Sequence, residues 1–146
     1  NEKNFNLKIP ECGFLNEEDI LILDNFNNEY NKIVDSIDNQ DINFYANFIQ
    51  NQLFKSNKYF NDQEPWKKKN DINRVGTIIY VSLELIRKVS IMLYPIIPES
   101  SLKVLKIFNI NEKDINFESI KKHNILKKNQ ILPKLSILFK KIEKND

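Results

Sequence analysis

The longest regular pattern in the sequence is a stripe of apolar side chains between Asp71 and Tyr94. An α-helix has 3.6 residues per turn, so apolar residues that recur every three or four positions lie on one helix face. Pro95 and Pro98 follow directly, and proline ends a helix. The sequence therefore predicts a long central helix over 71–94, with its stripe at Ile72, Val75, Ile79, Leu83, Ile86, Val89 and Leu93.

Three other segments have the same spacing. One begins after the N-cap Asn16 and carries apolar residues from Ile20 to Ile37, one runs from Ile42 to about Phe60, and a shorter one covers Glu99 to Phe108. Two glycines and five prolines in 146 residues are too few for the turns of an antiparallel β protein. We expect an all-α fold, an antiparallel bundle of four to five helices.

The expected domain organisation is a lead-in segment over residues 1–15 and a helical bundle domain over residues 16–146. The bundle would include single turns near 115–120 and a tail over 131–142 that docks on the other helices. The chain opens at Asn1 without a methionine. We therefore expect it to be a piece of a longer protein.

The residue inventory argues against catalysis by this chain. His123 has no nucleophile at a recognisable spacing and is expected in an exposed loop. Cys12 has no second thiol for a zinc site or redox motif, and Gly13 and Gly76 stand alone, which excludes a glycine-rich phosphate loop. No apolar run is long enough to cross a bilayer. We expect a cytoplasmic, monomeric domain with no catalytic residue, metal or membrane contact.

The only tryptophan lies between a proline and three lysines, in the series Pro65, Trp66, Lys67, Lys68 and Lys69. Formal charge is −7 over residues 1–54 and +9 over residues 55–146. An aromatic face, a fixed proline φ and nearby positive charge are typical of a site that holds an unstacked RNA base. The alternative from composition alone is that Trp66 packs at the start of a helix.

Trp66 belongs to a longer series that resembles a known family. The series is Asn57-Lys58-Tyr59, Pro65-Trp66, Lys69, Arg74, Tyr80, Glu84, Arg87, Ser90 and Leu93-Tyr94-Pro95-Ile96-Ile97-Pro98. In order and spacing it closely resembles the anticodon-binding domain of methionyl-tRNA synthetase. The resemblance begins near residue 15 and reaches Leu138-Phe139-Lys140-Lys141-Ile142, which has Lys140 where the family has proline. The related class I synthetases for Leu, Ile, Val and Cys share this domain type and are the nearest alternative.

The resemblance implies a helix bundle attached to a catalytic domain that joins methionine to its tRNA. It places ATP, with magnesium, and methionine in that catalytic domain, and no cofactor in this chain. The implied partners are the tRNA for methionine, with anticodon CAU, and the catalytic domain of the same polypeptide. By the same resemblance, Trp66, with Pro65 beside it, stacks on the first anticodon base, a cytosine.

The resemblance also implies something missing. The family's other anticodon readers, an Asn and an Arg four residues later, lie on a helix that would precede Asn1. We therefore expect weak RNA binding by this chain alone, and an apolar surface that is exposed or covered by residues 1–15.

Five cations near Trp66 are predicted to contact RNA phosphates: Lys58, Lys67, Lys68, Lys69 and Arg74. Tyr59 is expected in the core or as a support for Trp66, and Glu84 and Arg87 are expected to form structural hydrogen bonds. Two other classes of function remain open. One is a helical protein-interaction module in which Trp66 anchors an interface. The other is a stand-alone enzyme, which the residue inventory disfavours.

Overall fold

The computed structural model describes residues 7–127 and 131–132. Within them the protein folds into α-helices joined by short 3-10 turns, and the expected all-α bundle is confirmed. The helices are α1 (Glu17–Asn28), α2 (Tyr30–Asp38), α3 (Ile42–Gln63), α4 (Ile72–Leu93) and α5 (Pro98–Ile107). The 3-10 turns span Pro65–Lys67, Glu112–Asp114 and Phe117–Lys121. Strands β1 (Leu7–Lys8) and β2 (Ile131–Leu132) form one short antiparallel pair, with Leu7 opposite Leu132.

Helix α4 is the centre of the bundle, as its stripe predicts. It contacts α1, α3 and α5 and the 3-10 turn at Phe117–Lys121. Because α4 is covered on several sides, even charged residues along it are fully buried. The main core consists of apolar side chains from all five helices, including Leu23, Phe26, Ile33, Phe48, Ile49, Ile78, Val81, Leu85, Met92 and Leu105.

The predicted helix over Ile20 to Ile37 is two helices in the structure. The N-cap predicted at Asn16 is confirmed, and the structure shows a full capping box there, since Asn16 and Asp19 exchange backbone to side-chain hydrogen bonds of 3.0 Å. Glu29 ends α1, and its backbone N–H still donates to Asn25 O at 3.2 Å. The apolar spacing continues across this break, and no glycine or proline marks it. The spacing alone therefore predicts one helix.

Helix α3 extends beyond its predicted end near Phe60, to Gln63. It ends at Glu64, which has a left-handed backbone with φ 48° and ψ 58°, and Pro65 follows. Proline disfavours a helical backbone in the residue before it, which explains the stop at this point.

The segment before α1 packs against α4. Ile9 is fully buried, and the backbone N–H of Gly13 donates to Thr77 Oγ1 at 2.9 Å. A Cβ added at Gly76 would lie 3.3 Å from the Cβ of Pro10, so glycine permits the close approach. The predicted docking of the tail lies outside the described residues, except at Ile131–Leu132.

A buried polar network joins α4 to the chain that follows the last 3-10 turn. Arg87 Nη2 donates to Glu84 Oε1 at 2.8 Å, which confirms the predicted hydrogen bonding between these residues. Lys88 Nζ donates to Lys122 O at 2.8 Å and lies 2.8 Å from His123 Nδ1. The expectation of an exposed His123 is wrong, because its side chain is only 24% exposed and its Nε2 lies 2.8 Å from an Asp24 carboxylate oxygen.

Candidate nucleic-acid interface

Trp66 lies in the 3-10 turn Pro65–Lys67, between the end of α3 and the start of α4. The backbone N–H of Lys67 donates to Glu64 O at 2.9 Å, and that of Lys68 donates to Pro65 O at 3.1 Å. Pro65 is buried, and its ring fixes φ at the first position of the turn. The backbone that carries the indole is therefore well defined.

The indole of Trp66 is supported on one side and open to solvent. Its ring centroid lies 6.1 Å from that of Phe60, with an angle of 54° between the ring planes. Phe60 is half-buried against the main core, whereas Trp66 remains 48% exposed. The packing alternative explains the contact with Phe60 but not the exposed part of the indole.

The four lysines predicted to contact phosphates have different surroundings. Lys58 lies 2.7 Å from Asp62, and Lys67 lies 3.0 Å from Glu64, both as solvent-exposed pairs. Lys68 Nζ donates to the backbone carbonyl of Gln63. Lys69 is exposed and makes no hydrogen bond or ion pair within the described part of the chain.

Exposed ion pairs are weak, because water screens both charges. The hydrogen bond from Lys58 to Asp62 raises the pKa of Lys58, so this side chain keeps its charge. Lys58, Lys67 and Lys69 are therefore exposed and accessible to a polyanion. Lys68 is less accessible, because its Nζ donates to the backbone carbonyl of Gln63.

Arg74 has a different environment from the one that the sequence predicts. Its guanidinium donates to both carboxylate oxygens of Asp19, at 2.6 and 3.0 Å, and to Gln63 Oε1 at 2.7 Å. The side chain of Arg74 is only 16% exposed and that of Asp19 is fully buried. The structure thus directs Arg74 to the interior and away from a surface that RNA could reach.

The electrostatics of Asp19 show how strongly this group is held. Burial raises the pKa of its carboxyl, but hydrogen bonds from Arg74, Tyr59 and Asn16 outweigh that effect and lower the pKa overall. Tyr59 donates to Asp19 at 2.6 Å and is buried. Of the two alternatives for Tyr59, the core position is correct, and the ring that supports Trp66 belongs to Phe60, which sequence reasoning missed.

No helix among the described residues is long and apolar enough to span a membrane. Within residues 7–127 and 131–132, no three His, Cys, Asp or Glu side chains are grouped so that they could hold a metal ion.

Comparison with solved structures defines the class of the fold. The structure of Mycobacterium tuberculosis methionyl-tRNA synthetase bound by methionyl-adenylate superposes with a TM-score of 0.78 at 25% identity. The match covers 90% of this chain and 27% of the synthetase. The fold is therefore that of a helical domain found in a class I aminoacyl-tRNA synthetase.

Sequence comparison identifies the family. A family model described as the anticodon binding domain of methionyl tRNA ligase matches residues 9–146. The methionine-tRNA ligase of Brucella suis is 36% identical over 109 residues, 74% of this chain. That of Phocaeicola vulgatus is 33% identical over 145 residues, 97% of this chain. The chain belongs to the family of anticodon-binding domains of methionyl-tRNA ligases.

The chain spans about a fifth of the length of the curated relatives that it matches, since it covers 21% of both the Brucella and the Phocaeicola protein. The neighbouring class I synthetases for other amino acids are not favoured by these matches.

Proposed function

We propose that this chain binds the anticodon stem-loop of the tRNA for methionine, with anticodon CAU, as part of a cytoplasmic methionyl-tRNA synthetase. The single observation that carries the proposal is the indole of Trp66, which packs against the ring of Phe60 and remains 48% exposed. An RNA loop is read from bases that leave the helical stack and lie on aromatic side chains. Trp66 offers such a surface beside three lysines.

In this proposal, Trp66 stacks on the first anticodon base, the cytosine, and Pro65 fixes the turn that presents it. Lys58, Lys67 and Lys69 contact phosphates, which position the loop without reading its sequence. Lys68 has a smaller part, since it also holds the carbonyl of Gln63. Stacking contributes affinity for any base, so the choice of cytosine requires hydrogen bonds to the base edge.

The chemical step belongs to the catalytic part of the longer protein. There we place methionine, ATP and magnesium, in line with the methionyl-adenylate bound to the Mycobacterium tuberculosis enzyme. This chain contributes recognition of the tRNA and acts as a monomeric unit joined to that catalytic part.

The experiment is aminoacylation of methionine tRNA by the full-length protein and its Trp66→Ala variant. We expect Trp66→Ala to lower kcat/KM for the tRNA while leaving the KM for methionine and ATP unchanged. The matched control is Phe54→Ala, since Phe54 is an aromatic side chain of α3 that is 69% exposed. Equal kcat/KM in the wild type and Trp66→Ala would refute the proposal.

Salt dependence separates this function from the alternative of a protein-interaction module. Release of counterions from phosphates makes RNA binding fall steeply as salt increases, whereas an apolar interface lacks this dependence. A stem-loop affinity that does not change with salt would favour the interaction module.

A further inference from the structure

The structure assigns to Arg74 a positioning role: with Asp19 and Gln63 it fixes the orientation of the Trp66 turn and does not contact RNA. This inference rests on the proposed function. It identifies the residues that hold the base-stacking surface in place, which come from three different helices, α1, α3 and α4.

A hydrogen bond between α3 and α4 closes the loop that carries Trp66. Arg74 lies in the first turn of α4, and Gln63 is the last residue of α3. The hydrogen bond of 2.7 Å from Arg74 Nη2 to Gln63 Oε1 joins the two ends of this loop. The indole therefore belongs to a loop that is fixed at both ends.

Gln63, three residues before Trp66, accepts hydrogen bonds from both sides of the turn. Its side chain accepts from Arg74, and its backbone carbonyl accepts from Lys68 on the other side of the turn. Glu64 follows with a left-handed backbone, which residues other than glycine seldom adopt unless their surroundings impose it. The two hydrogen bonds to Gln63 are part of what imposes it.

Arg74 is itself held in place by Asp19. Asp19 binds the guanidinium through both carboxylate oxygens, and this geometry sets the plane of the guanidinium as well as its position. Asp19 is held in turn by Tyr59 Oη at 2.6 Å and by the backbone N–H of Asn16 at 3.0 Å. The turn is thus tied to the N-terminus of α1.

The substitution Arg74→Lys distinguishes a positioning residue from a phosphate contact. Arg74→Lys keeps the positive charge but cannot bind Asp19 at two points and Gln63 at a third. A phosphate contact would largely survive this change. A positioning role would not, so we expect stem-loop affinity of the full-length protein to fall by about tenfold in both Arg74→Lys and Arg74→Met.

The salt dependence of binding gives a second, independent readout. Loss of a phosphate contact lowers the slope of log K against log salt by about 0.7 to 0.9. We expect the slope of Arg74→Met to equal that of the wild type. A reduced slope in Arg74→Met, or wild-type affinity in Arg74→Lys, would overturn the inference.

The decisive measurement is a double-mutant cycle with Trp66, titrated with a CAU stem-loop. A residue that acts through Trp66 has no further effect once the indole is gone. We therefore expect Arg74→Lys to weaken binding in the wild-type background and to have no effect in the Trp66→Ala background. Additive losses would show that Arg74 acts on RNA directly and overturn the inference.

The same cycle tests the positioning role of Arg74 separately from the proposed RNA-binding function. If Trp66→Ala weakens binding and Arg74→Lys does not, this inference fails and the proposed function stands. If Trp66→Ala leaves affinity unchanged, the proposed function fails, and the inference fails with it.

Weaker stem-loop binding by Arg74→Lys could also result from a general loss of stability, and a matched variant tests this explanation. Arg87→Lys alters a more deeply buried ion pair of α4, that of Arg87 with Glu84. Arg87 also donates to the carbonyls of Ser119 and Lys122, and it makes no hydrogen bond to the Trp66 turn within the described residues. We expect Arg87→Lys to lower the melting temperature but to keep stem-loop affinity within twofold at a temperature where it is folded. Equal weakening by Arg87→Lys would overturn the inference.

If Arg74→Lys does not fold, Gln63→Met takes its place. It leaves the pair of Arg74 with Asp19 intact and removes only the acceptor at the end of α3. Weaker stem-loop binding by Gln63→Met, with the salt slope of the wild type, supports the positioning role. Unchanged affinity overturns it.

Discussion

The ring of Phe60 lies against the indole of Trp66, with a centroid separation of 6.1 Å and an angle of 54° between the rings. Phe60 itself packs on the main core. The exposed indole is thereby connected to the interior of the bundle through a second aromatic ring. A rigid, supported ring loses less entropy when a base stacks on it than a mobile one would.

Because of this contact, Phe60→Leu tests whether the ring of Phe60 supports the indole of Trp66. The substitution keeps an apolar side chain but removes the ring–ring contact, which contributes about 0.5–1.5 kcal/mol in other proteins. We expect stem-loop affinity to fall by about two- to tenfold. Phe54→Leu on the same helix is the control, and equal effects of the two substitutions would contradict a supporting role for Phe60.

Lys69 should make the clearest phosphate contact of the four lysines, because it has no ion pair within the described part of the chain. We expect Lys69→Ala to lower the salt slope of stem-loop binding by about 0.7. Lys103, an exposed lysine of α5, provides the matched control. A slope that stays at the wild-type value in Lys69→Ala would exclude this contact.

Buried Lys88 and its partly buried partner His123 should make the stability of the protein depend on pH. Burial, with the charge of Arg87, lowers the pKa of Lys88 to about 7 from 10.5. Burial, with the charge of Lys88, also lowers the pKa of His123 from its usual 6.5. In each case the unfolded chain binds more protons than the folded chain between the two pKa values, so the free energy of unfolding rises with pH there.

The pH windows follow from these shifts. The contribution of neutral His123 to the free energy of unfolding is fully present above pH 6.5 and is lost as pH falls through the lower pKa of the folded state. The contribution of neutral Lys88 to the free energy of unfolding grows between about pH 7 and pH 10.5. We expect the melting temperature to rise from pH 5 to pH 9. Lys88→Met should flatten the upper part of this profile and His123→Gln the lower part. Unaltered profiles in both variants would contradict this account.

Gln52 offers a prediction about stability alone. Its side chain is fully buried, and neither amide atom has a hydrogen-bond partner within the described structure. An unsatisfied buried polar group costs about 1–3 kcal/mol. We therefore expect Gln52→Leu to raise the free energy of unfolding by about 1 kcal/mol. Gln50→Leu, at an exposed position of the same helix, should change it by less than about 0.5 kcal/mol. Destabilisation by Gln52→Leu in a denaturant titration would show that the amide is satisfied.

The helices could be predicted from the sequence where apolar spacing and proline agree. The long stripe gives α4 to within one residue at each end, and Pro65 marks the turn of Trp66. The break at Glu29 could not be predicted, because apolar spacing continues through it and the turn needs no special residue. The end of α3 was predicted too early, since the polar run from Asn61 looks like a loop, whereas Asn61 and Asp62 lie on the exposed face of the helix and Gln63 is buried.

Only the part of the candidate site that depends on neighbouring residues could be predicted from the sequence. A tryptophan between proline and lysines is visible in the sequence, but the hydrogen bonds that hold its turn include one between residues that are far apart in it. Asp19 and Arg74 are 55 residues apart, and nothing local to Arg74 distinguishes a buried arginine from one that contacts phosphate. For the same reason His123 was predicted to be exposed and Lys88 was not singled out, because charged side chains are usually exposed.

The most direct test of the central claim compares two stem-loops with two proteins. One stem-loop carries the CAU anticodon, and the other lacks the base at its first position; the proteins are the full-length wild type and Trp66→Ala. If Trp66 stacks on the first anticodon base, Trp66→Ala weakens binding to the CAU loop by about 1–3 kcal/mol and has no effect on the abasic loop. Equal losses with both loops, or no loss with either, would contradict the claim.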